Sequence, residues 1–364
     1  MIKIITVAGA RPNFIKIAPL NKEFSRYSSR VKHKITHTGQ HFDEKMSKVF
    51  FNDLNLSEPD FYLGVGSGSH AVQTAKIMIE FEKVLLDEKP DLIIVVGDVN
   101  STIACSIVAS KLNIKIAHVE AGLRSFDCTM PEEINRMVTD TLSDFLFVSE
   151  ESGLENLKRE GISDSKVFFT GNIMIDSLVY YLDSIDQLNI MAEYQLKKHN
   201  YILATFHRPS NVDTGSNIQS LGNLLNSLAE KRKIIFPIHP RTLKNIQKHD
   251  LWNKMHSNII STDPLGYFDF LALMRNAEMV ITDSGGIQEE TTYLGVQCLT
   301  MRENTERPVT IELGTNQLVG TDISAIKSAA DGVLDGKVKK GGVPKLWDGK
   351  TAERIVSILM EKLD

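Results

Sequence analysis

Charged residues and glycines fall where apolar runs end in this chain, and their types narrow the chemistry on offer. In ITDSGGIQEETTYLG (281–295) an apolar run ends at Asp283, Ser284-Gly285-Gly286 makes a tight turn, and Gln288, Glu289 and Glu290 begin a helix. A glycine turn lets backbone N–H groups approach a phosphate, and a helix N-terminus adds a favourable dipole. The same residues also suit an ordinary strand-to-helix connection with a serine cap. The following run leads into MRENTERP (301–308), whose Arg302 and Arg307 suit bidentate contacts to oxygen. Two such loops in adjacent segments favour phosphate binding. His207 and Arg208 end the run 201–207, and His239 and Arg241 end 233–239. Cationic groups placed so closely would repel one another without an anion between them.

The first half of the chain carries different chemistry. GARPNFIK (9–16) offers a glycine, then Arg11 and Lys16, with Pro12 suited to opening a helix. It is a plausible anion-binding turn, but it lacks the three-glycine dinucleotide pattern, so NAD is not indicated. GDVNST (97–102) ends a run at Asp98, HVEAGLRSFD (118–127) ends one at Glu120 and adds Arg124, and MPEEINR (130–136) supplies Glu132, Glu133 and Arg136. Acids are favoured in the first helical turn after a proline, which accounts for one of Glu132 and Glu133. It does not account for Asp98 and Glu120, because a stranded carboxylate at the end of an apolar run is costly. Neighbouring acids raise one another's pKa into a range useful for proton transfer.

These residues need a scaffold that gathers run ends together. Val- and Ile-rich segments at 2–9, 34–39, 91–98, 115–122, 144–150 and 167–172 read as parallel strands, with helical periodicity over 71–88, 101–112 and 133–143. A second series follows at 201–207, 233–239, 258–263, 278–284 and 296–301, and the polar stretch 172–200 holds no strand between the two. Continuous apolar strands alternating with helices predict parallel sheets covered on both faces. The expectation is an α/β chain of two doubly wound, Rossmann-like domains facing across a cleft, with ligands at the carboxyl ends of the strands. The predicted spans are 1–172 for the acid/base and sugar side, 173–350 for the nucleotide side, and a final helix over 351–364 whose candidate partner is the first domain.

Composition supports this. At 364 residues the chain is too long for one ordinary core, and 42% hydrophobic with 24% charged residues is a folded profile. A net charge of −5 argues against bulk nucleic-acid binding. No apolar run reaches the roughly 20 residues needed to cross a bilayer, and the amino-terminal segment lacks a secretory pattern. Cys105, Cys128 and Cys298 are odd in number and far apart, which disfavours a disulfide framework or a cysteine metal site. A cytoplasmic protein with no membrane association follows as the expectation.

Taken in order, GARPNFIK, TGQHFD, GDVNST, HVEAGLRSFD, MPEEINR, HRPSN, DSGGIQEE and TERP resemble the non-hydrolysing UDP-N-acetylglucosamine 2-epimerases through nearly the whole chain. The resemblance implies the fold of the B-type glycosyltransferases and interconversion of UDP-GlcNAc and UDP-ManNAc, through a 2-acetamidoglucal and without NAD, another cofactor or a metal. It assigns Asp98, Glu120 and Glu132 to acid/base work and His207 to the catalytic group. Arg11, Lys16 and Arg136 would contact substrate or diphosphate. Ser284, Gly285 and Gly286 would hold phosphates, Glu290 the ribose, and Arg307 would lie nearby. It also suggests a homodimer.

The chain departs from the family pattern at three places. Asn13 stands where an acid is usual, and Pro209-Ser210 follow His207-Arg208 where HRREN or HREEN is usual. Some bacterial members bind a second UDP-GlcNAc as activator through a QHRE-like stretch. Here Gln40 and His41 remain but Phe42 replaces the arginine, which counts against that site. Three other readings stand beside the first: a 2-epimerase of a related sugar such as UDP-2,3-diacetamido-2,3-dideoxyglucuronate, a glycosyltransferase of the same architecture, and a nucleotide-sugar-binding regulator without turnover.

Overall fold

The computed structural model describes residues 1–39, 54 and 56–363. Gln40, His41 and Phe42 lie outside the described residues. The chain divides into two units, one formed by Met1–Val179 with Lys345–Asp364 and the other by Tyr180–Pro344. The division falls inside the helix Ile173–Ile185.

Strands of the first unit are β1 (Ile2–Ala8), β2 (Val31–His37), β3 (Phe61–Tyr62), β4 (Leu92–Val96), β5 (Lys115–Ala121), β6 (Phe145–Val148) and β7 (Val167–Phe169). They form one sheet in the order β3-β2-β1-β4-β5-β6-β7, and every pairing is parallel. The second unit repeats the plan with β8 (Tyr201–Thr205), β9 (Lys233–Pro237), β10 (Ile259–Thr262), β11 (Met279–Thr282), β12 (Gln297–Thr300) and β13 (Asn316–Leu318), ordered β10-β9-β8-β11-β12-β13. Central strands such as LIIVV in β4 are buried along their whole length, as strands must be when helices cover both faces. In each sheet the winding reverses once, between β1 and β4 and between β8 and β11. Loops leaving those four strands at their carboxyl ends diverge to opposite faces and leave a crevice for a ligand.

All eleven strand segments expected from the sequence are present. The two extra strands, β3 and β13, are edge strands of two and three residues, too short to show a period.

The carboxyl-terminal helix Thr351–Leu363 packs on the helix Arg11–Ser25 of the first unit. Trp347, 1% exposed, donates its indole N–H to the carbonyl of Ser149 at 3.0 Å. Asp176 accepts the backbone N–H groups of Thr351 (3.0 Å) and Ala352 (2.7 Å), satisfying donors that a helix start leaves open. Burial pushes the Asp176 carboxyl up to about 6, against those hydrogen bonds. An acid with a raised folded pKa binds its proton more tightly folded than unfolded. Its contribution is therefore most favourable at low pH and declines as pH rises from about 4 through about 6. The stability difference between wild type and Asp176→Asn should fall by about 3 kcal/mol across that window in urea titrations. A difference that stays constant with pH would contradict the assignment.

Candidate functional site

In the first unit the loop after β1 passes close beneath the loop after β4. A Cβ on Gly9 would meet Ser101 Oγ at 2.5 Å and Ser101 Cβ at 2.7 Å, so only glycine allows the approach. Asn13 secures the crossing: its Oδ1 accepts the N–H groups of Gly9 (3.1 Å) and Ala10 (2.8 Å), while its Nδ2 donates to the carbonyl of Val96 at 3.1 Å. An ionised acid could not donate that last bond, which gives a physical role to the asparagine at this position. Arg11 opens the helix Arg11–Ser25, and one turn on, Lys16 reaches Glu120 Oε2 at 2.6 Å with both side chains buried.

Glu120 occupies an unusual backbone position. Its φ is +72°, in the left-handed region, and the pairing of β5 with β6 slips between Val119 and Ala121. A bulge of this kind re-aims a side chain, and a non-glycine residue held at positive φ is a form of strain that clusters at functional sites. Its second oxygen, Oε1, is buried with no hydrogen-bond partner among the described residues.

Beside it, Asp98 Oδ2 accepts from Arg136 Nη2 at 2.6 Å, and Arg136 Nη1 donates to Glu133 Oε2 at 2.5 Å. Glu133 is 1% exposed and also accepts the backbone N–H groups of Ser125 and Phe126. The two acids starting the helix Pro131–Leu142 thus separate. Glu133 fixes the preceding loop and Arg136, while Glu132 is half-buried and, among the described residues, carries no hydrogen bond or ion pair.

In the second unit His207, after β8, and Asp283, after β11, meet across the winding reversal. Asp283 is fully buried and accepts from the His207 ring at Nδ1 (2.9 Å), the backbone N–H groups of His207 and Arg208, and the Asn211 amide. Burial raises the Asp283 carboxyl, but the His207, Asn211 and Arg208 donors outweigh it and hold the group below the usual carboxylate range. The bond to Nδ1 fixes the ring's orientation and leaves Nε2 for other work. The anions expected between these cations are therefore partly the protein's own: Asp283 serves His207, and Asp213 pairs with Arg241 at 3.0 Å.

Ser284 stands at the N-cap of the helix Gly285–Leu294 without a side-chain cap bond, so the serine-cap reading of this turn does not hold. Gly285 lies against charged groups: a Cβ there would meet Glu306 Oε1 at 2.8 Å and Arg307 Nη1 at 3.0 Å. Arg302 and Arg307, expected to offer their forks to phosphate, are both buried and engaged by carboxylates. Arg302 pairs with Glu306 at 2.8 Å, and Arg307 pairs with Glu289 at 2.8 Å and with Glu306. Glu290 is 4% exposed and accepts the Tyr267 hydroxyl at 2.9 Å.

Sequence reasoning passed over Asp283 as a functional carboxylate, noting it only as a strand end. The signal that marked Asp98, an acid closing an apolar run, was present there too. Tyr267 gave no signal, since its partner lies 23 residues further along the chain.

Among the described residues no helix is long and apolar enough to cross a membrane, and no cluster of His, Cys, Asp or Glu is placed to hold a metal ion. Two doubly wound units, each presenting carboxylates and cations where its sheet reverses, define an α/β enzyme of paired Rossmann-like units. The chain belongs to the UDP-N-acetylglucosamine 2-epimerase family, whose model matches residues 23–360. It is 44% identical over 367 residues to the UDP-N-acetylglucosamine 2-epimerase of Methanocaldococcus jannaschii, covering 98% of each chain. It is 37% identical over 364 residues to the UDP-2,3-diacetamido-2,3-dideoxy-D-glucuronate 2-epimerase of Pseudomonas aeruginosa, covering 99% of this chain and 100% of that one. The crystal structure of the M. jannaschii UDP-GlcNAc 2-epimerase in complex with UDP-GlcNAc and UDP superposes with a TM-score of 0.90 at 43% identity, over 99% of this chain and 100% of that one.

Proposed function

We propose that this protein inverts carbon 2 of UDP-N-acetylglucosamine, giving UDP-N-acetylmannosamine. The observation that carries the reading is Glu120, a buried carboxylate on a strained bulge with one oxygen on Lys16 and the other unpartnered among the described residues, in a chain that matches the epimerase family over nearly its whole length. A base takes the proton from carbon 2, the carbon 1–oxygen bond breaks, and UDP departs with the bonding pair, leaving 2-acetamidoglucal. A proton returned to the opposite face of carbon 2 and re-addition of UDP at carbon 1 complete the inversion. Nothing is oxidised or reduced overall, so no redox cofactor is needed.

In this reading the first unit supplies the sugar side. Asp98, Glu120 and Glu132 exchange protons, and Lys16, Arg136 and Arg11 steady the substrate. The second unit supplies the nucleotide side. Ser284, Gly285 and Gly286 cradle the phosphates, Glu290 takes the ribose hydroxyls, Arg307 backs the turn, and His207 contacts the diphosphate as it leaves. An NMR time course with UDP-GlcNAc in heavy water tests the proposal: the epimer should form with deuterium at carbon 2 and no acceptor present. Tight binding without turnover, or epimer free of label, would defeat it. The 37% identity to the diacetamido-glucuronate epimerase supports a second reading with that sugar, and comparing kcat/KM for the two sugars decides between them.

We also propose a homodimer paired through the helix His70–Glu88. Val72, Ile79 and Leu86 are exposed on it at seven-residue intervals. Pairing about a two-fold axis at Ile79 sets Val72 against Leu86 and Lys76 against Glu82 of the second copy. Sedimentation should show a dimer that Ile79→Glu converts to monomer; a wild-type monomer would refute the pairing.

A further inference from the structure

Behind the carboxylates of the first unit lies a hydrogen-bonded set of polar side chains, buried except at its outer end, that the reaction just described does not use. His118, in β5, is fully buried, and its two ring nitrogens face Asp140 Oδ1 at 2.6 Å and the carbonyl of Gly97 at 2.9 Å. The ring is thus held at one nitrogen by a carboxylate and at the other by a backbone carbonyl. The second oxygen of Asp140 accepts the backbone N–H of Gly122 at 3.1 Å and Arg124 Nη2 at 2.7 Å. Arg124 in turn forks onto Glu160, through Nε at 2.8 Å and Nη2 at 2.7 Å. Arg124 thus stands between the buried Asp140 carboxylate and the more exposed Glu160, so the buried acid has a cation against it.

The arms of this set end beside the reacting groups. Gly97 immediately precedes Asp98, and Gly122 lies two residues beyond Glu120. Gly97, Glu120 and Gly122 all hold positive φ, at 69°, 72° and 79°. Gly97 and Gly122 adopt that conformation freely, but Glu120, which is not glycine, must be held in it by tertiary bonds. Asp140 bonds the Gly122 N–H directly and reaches the Gly97 carbonyl through His118.

We propose that Asp140 and His118 are positioning residues that fix the backbone carrying Asp98 and Glu120, acting on turnover through those carboxylates. This rests on the epimerase reading above. The alternative, a pair that only stabilises the fold, is separable by isosteric substitution. In His118→Asn the amide nitrogen falls where Nδ1 was, keeping the bond to Asp140 and losing Gly97. In His118→Gln it falls where Nε2 was, keeping Gly97 and losing Asp140.

The experiment measures kcat and KM for UDP-GlcNAc and native-state amide exchange by mass spectrometry, on wild type and both variants. His118→Asn should lose about 10²-fold in kcat, with KM changed little, because a small misplacement of a reacting group costs that much. His118→Gln should retain more turnover, and His118→Asn should exchange faster over 97–101. Equal kcat in folded wild type and His118→Asn, or unchanged exchange at those amides, would overturn the proposal. Amide exchange needs no turnover, so the positioning claim can fail or stand even if wild type does not epimerise the sugar. Should both variants fail to fold, the Gly122 amide of wild type decides: slow exchange is expected from its bond to Asp140, and rapid exchange would refute it.

Discussion

Replacing Asp98 with Asn is expected to lower kcat on UDP-GlcNAc by about 10²–10⁴-fold, the range that a positioned proton-transfer group supplies. The amide can still accept a bond from Arg136, so the 2.6 Å contact now made by the carboxylate has a near-isosteric substitute and the fold should be little disturbed. What the amide cannot do is take or return a proton. KM should therefore change much less than kcat, because the loss lies in the transition state rather than in substrate binding. Initial rates by NMR, with calorimetric binding of UDP as a check on the intact nucleotide site, would measure both. Turnover within a few-fold of wild type would exclude Asp98 from the proton-transfer group. Label incorporation retained alongside lost epimer formation would place it instead at the return step.

Lys16→Met should be the most destabilising single change at the site. Glu120 is 3% exposed, and among the described residues one of its oxygens meets Lys16 and the other has no hydrogen-bond partner. Removing one member of a buried pair strands the other, at a cost of about 3–5 kcal/mol. The double variant Lys16→Met, Glu120→Gln should recover most of that loss, because it removes the stranded charge as well. The two effects are then strongly non-additive, as expected for groups in contact. Neither variant should turn over substrate. Urea unfolding of the two single variants and the double measures the coupling. Simple addition of the single losses would show that the pair is not the reason for the instability.

The two predictions draw on different kinds of information. Asp98 and Glu120 were legible in the sequence as candidates for chemistry, because an acid ending an apolar run is costly unless something uses it. The alternation of apolar runs and amphipathic segments likewise predicted two parallel sheets, since a strand covered on both faces must be apolar throughout. Glu132 and Glu133 show where such reading stops. They are adjacent, chemically identical and both favoured at a helix start, and only packing buries Glu133 under Ser125 and Phe126 while leaving Glu132 half-buried. Arg302 and Arg307 read as forks for phosphate, and only the fold shows that Glu289 and Glu306 are their partners within the protein.

By itself, then, the sequence determined the strand plan, the family motifs and the residue types at the run ends, because these follow from local periodicity and from burial costs that a chain carries wherever it folds. The tertiary structure alone decided which charge meets which. Lys16 finds Glu120 across 104 residues, His207 finds Asp283 across 76, and His118 joins Asp140 to Gly97. Lys16 and Gly97 follow β1 and β4 while Glu120 and His118 stand on the neighbouring β5, and His207 and Asp283 follow β8 and β11. Strand order sets that geometry, and no local pattern along the chain encodes strand order.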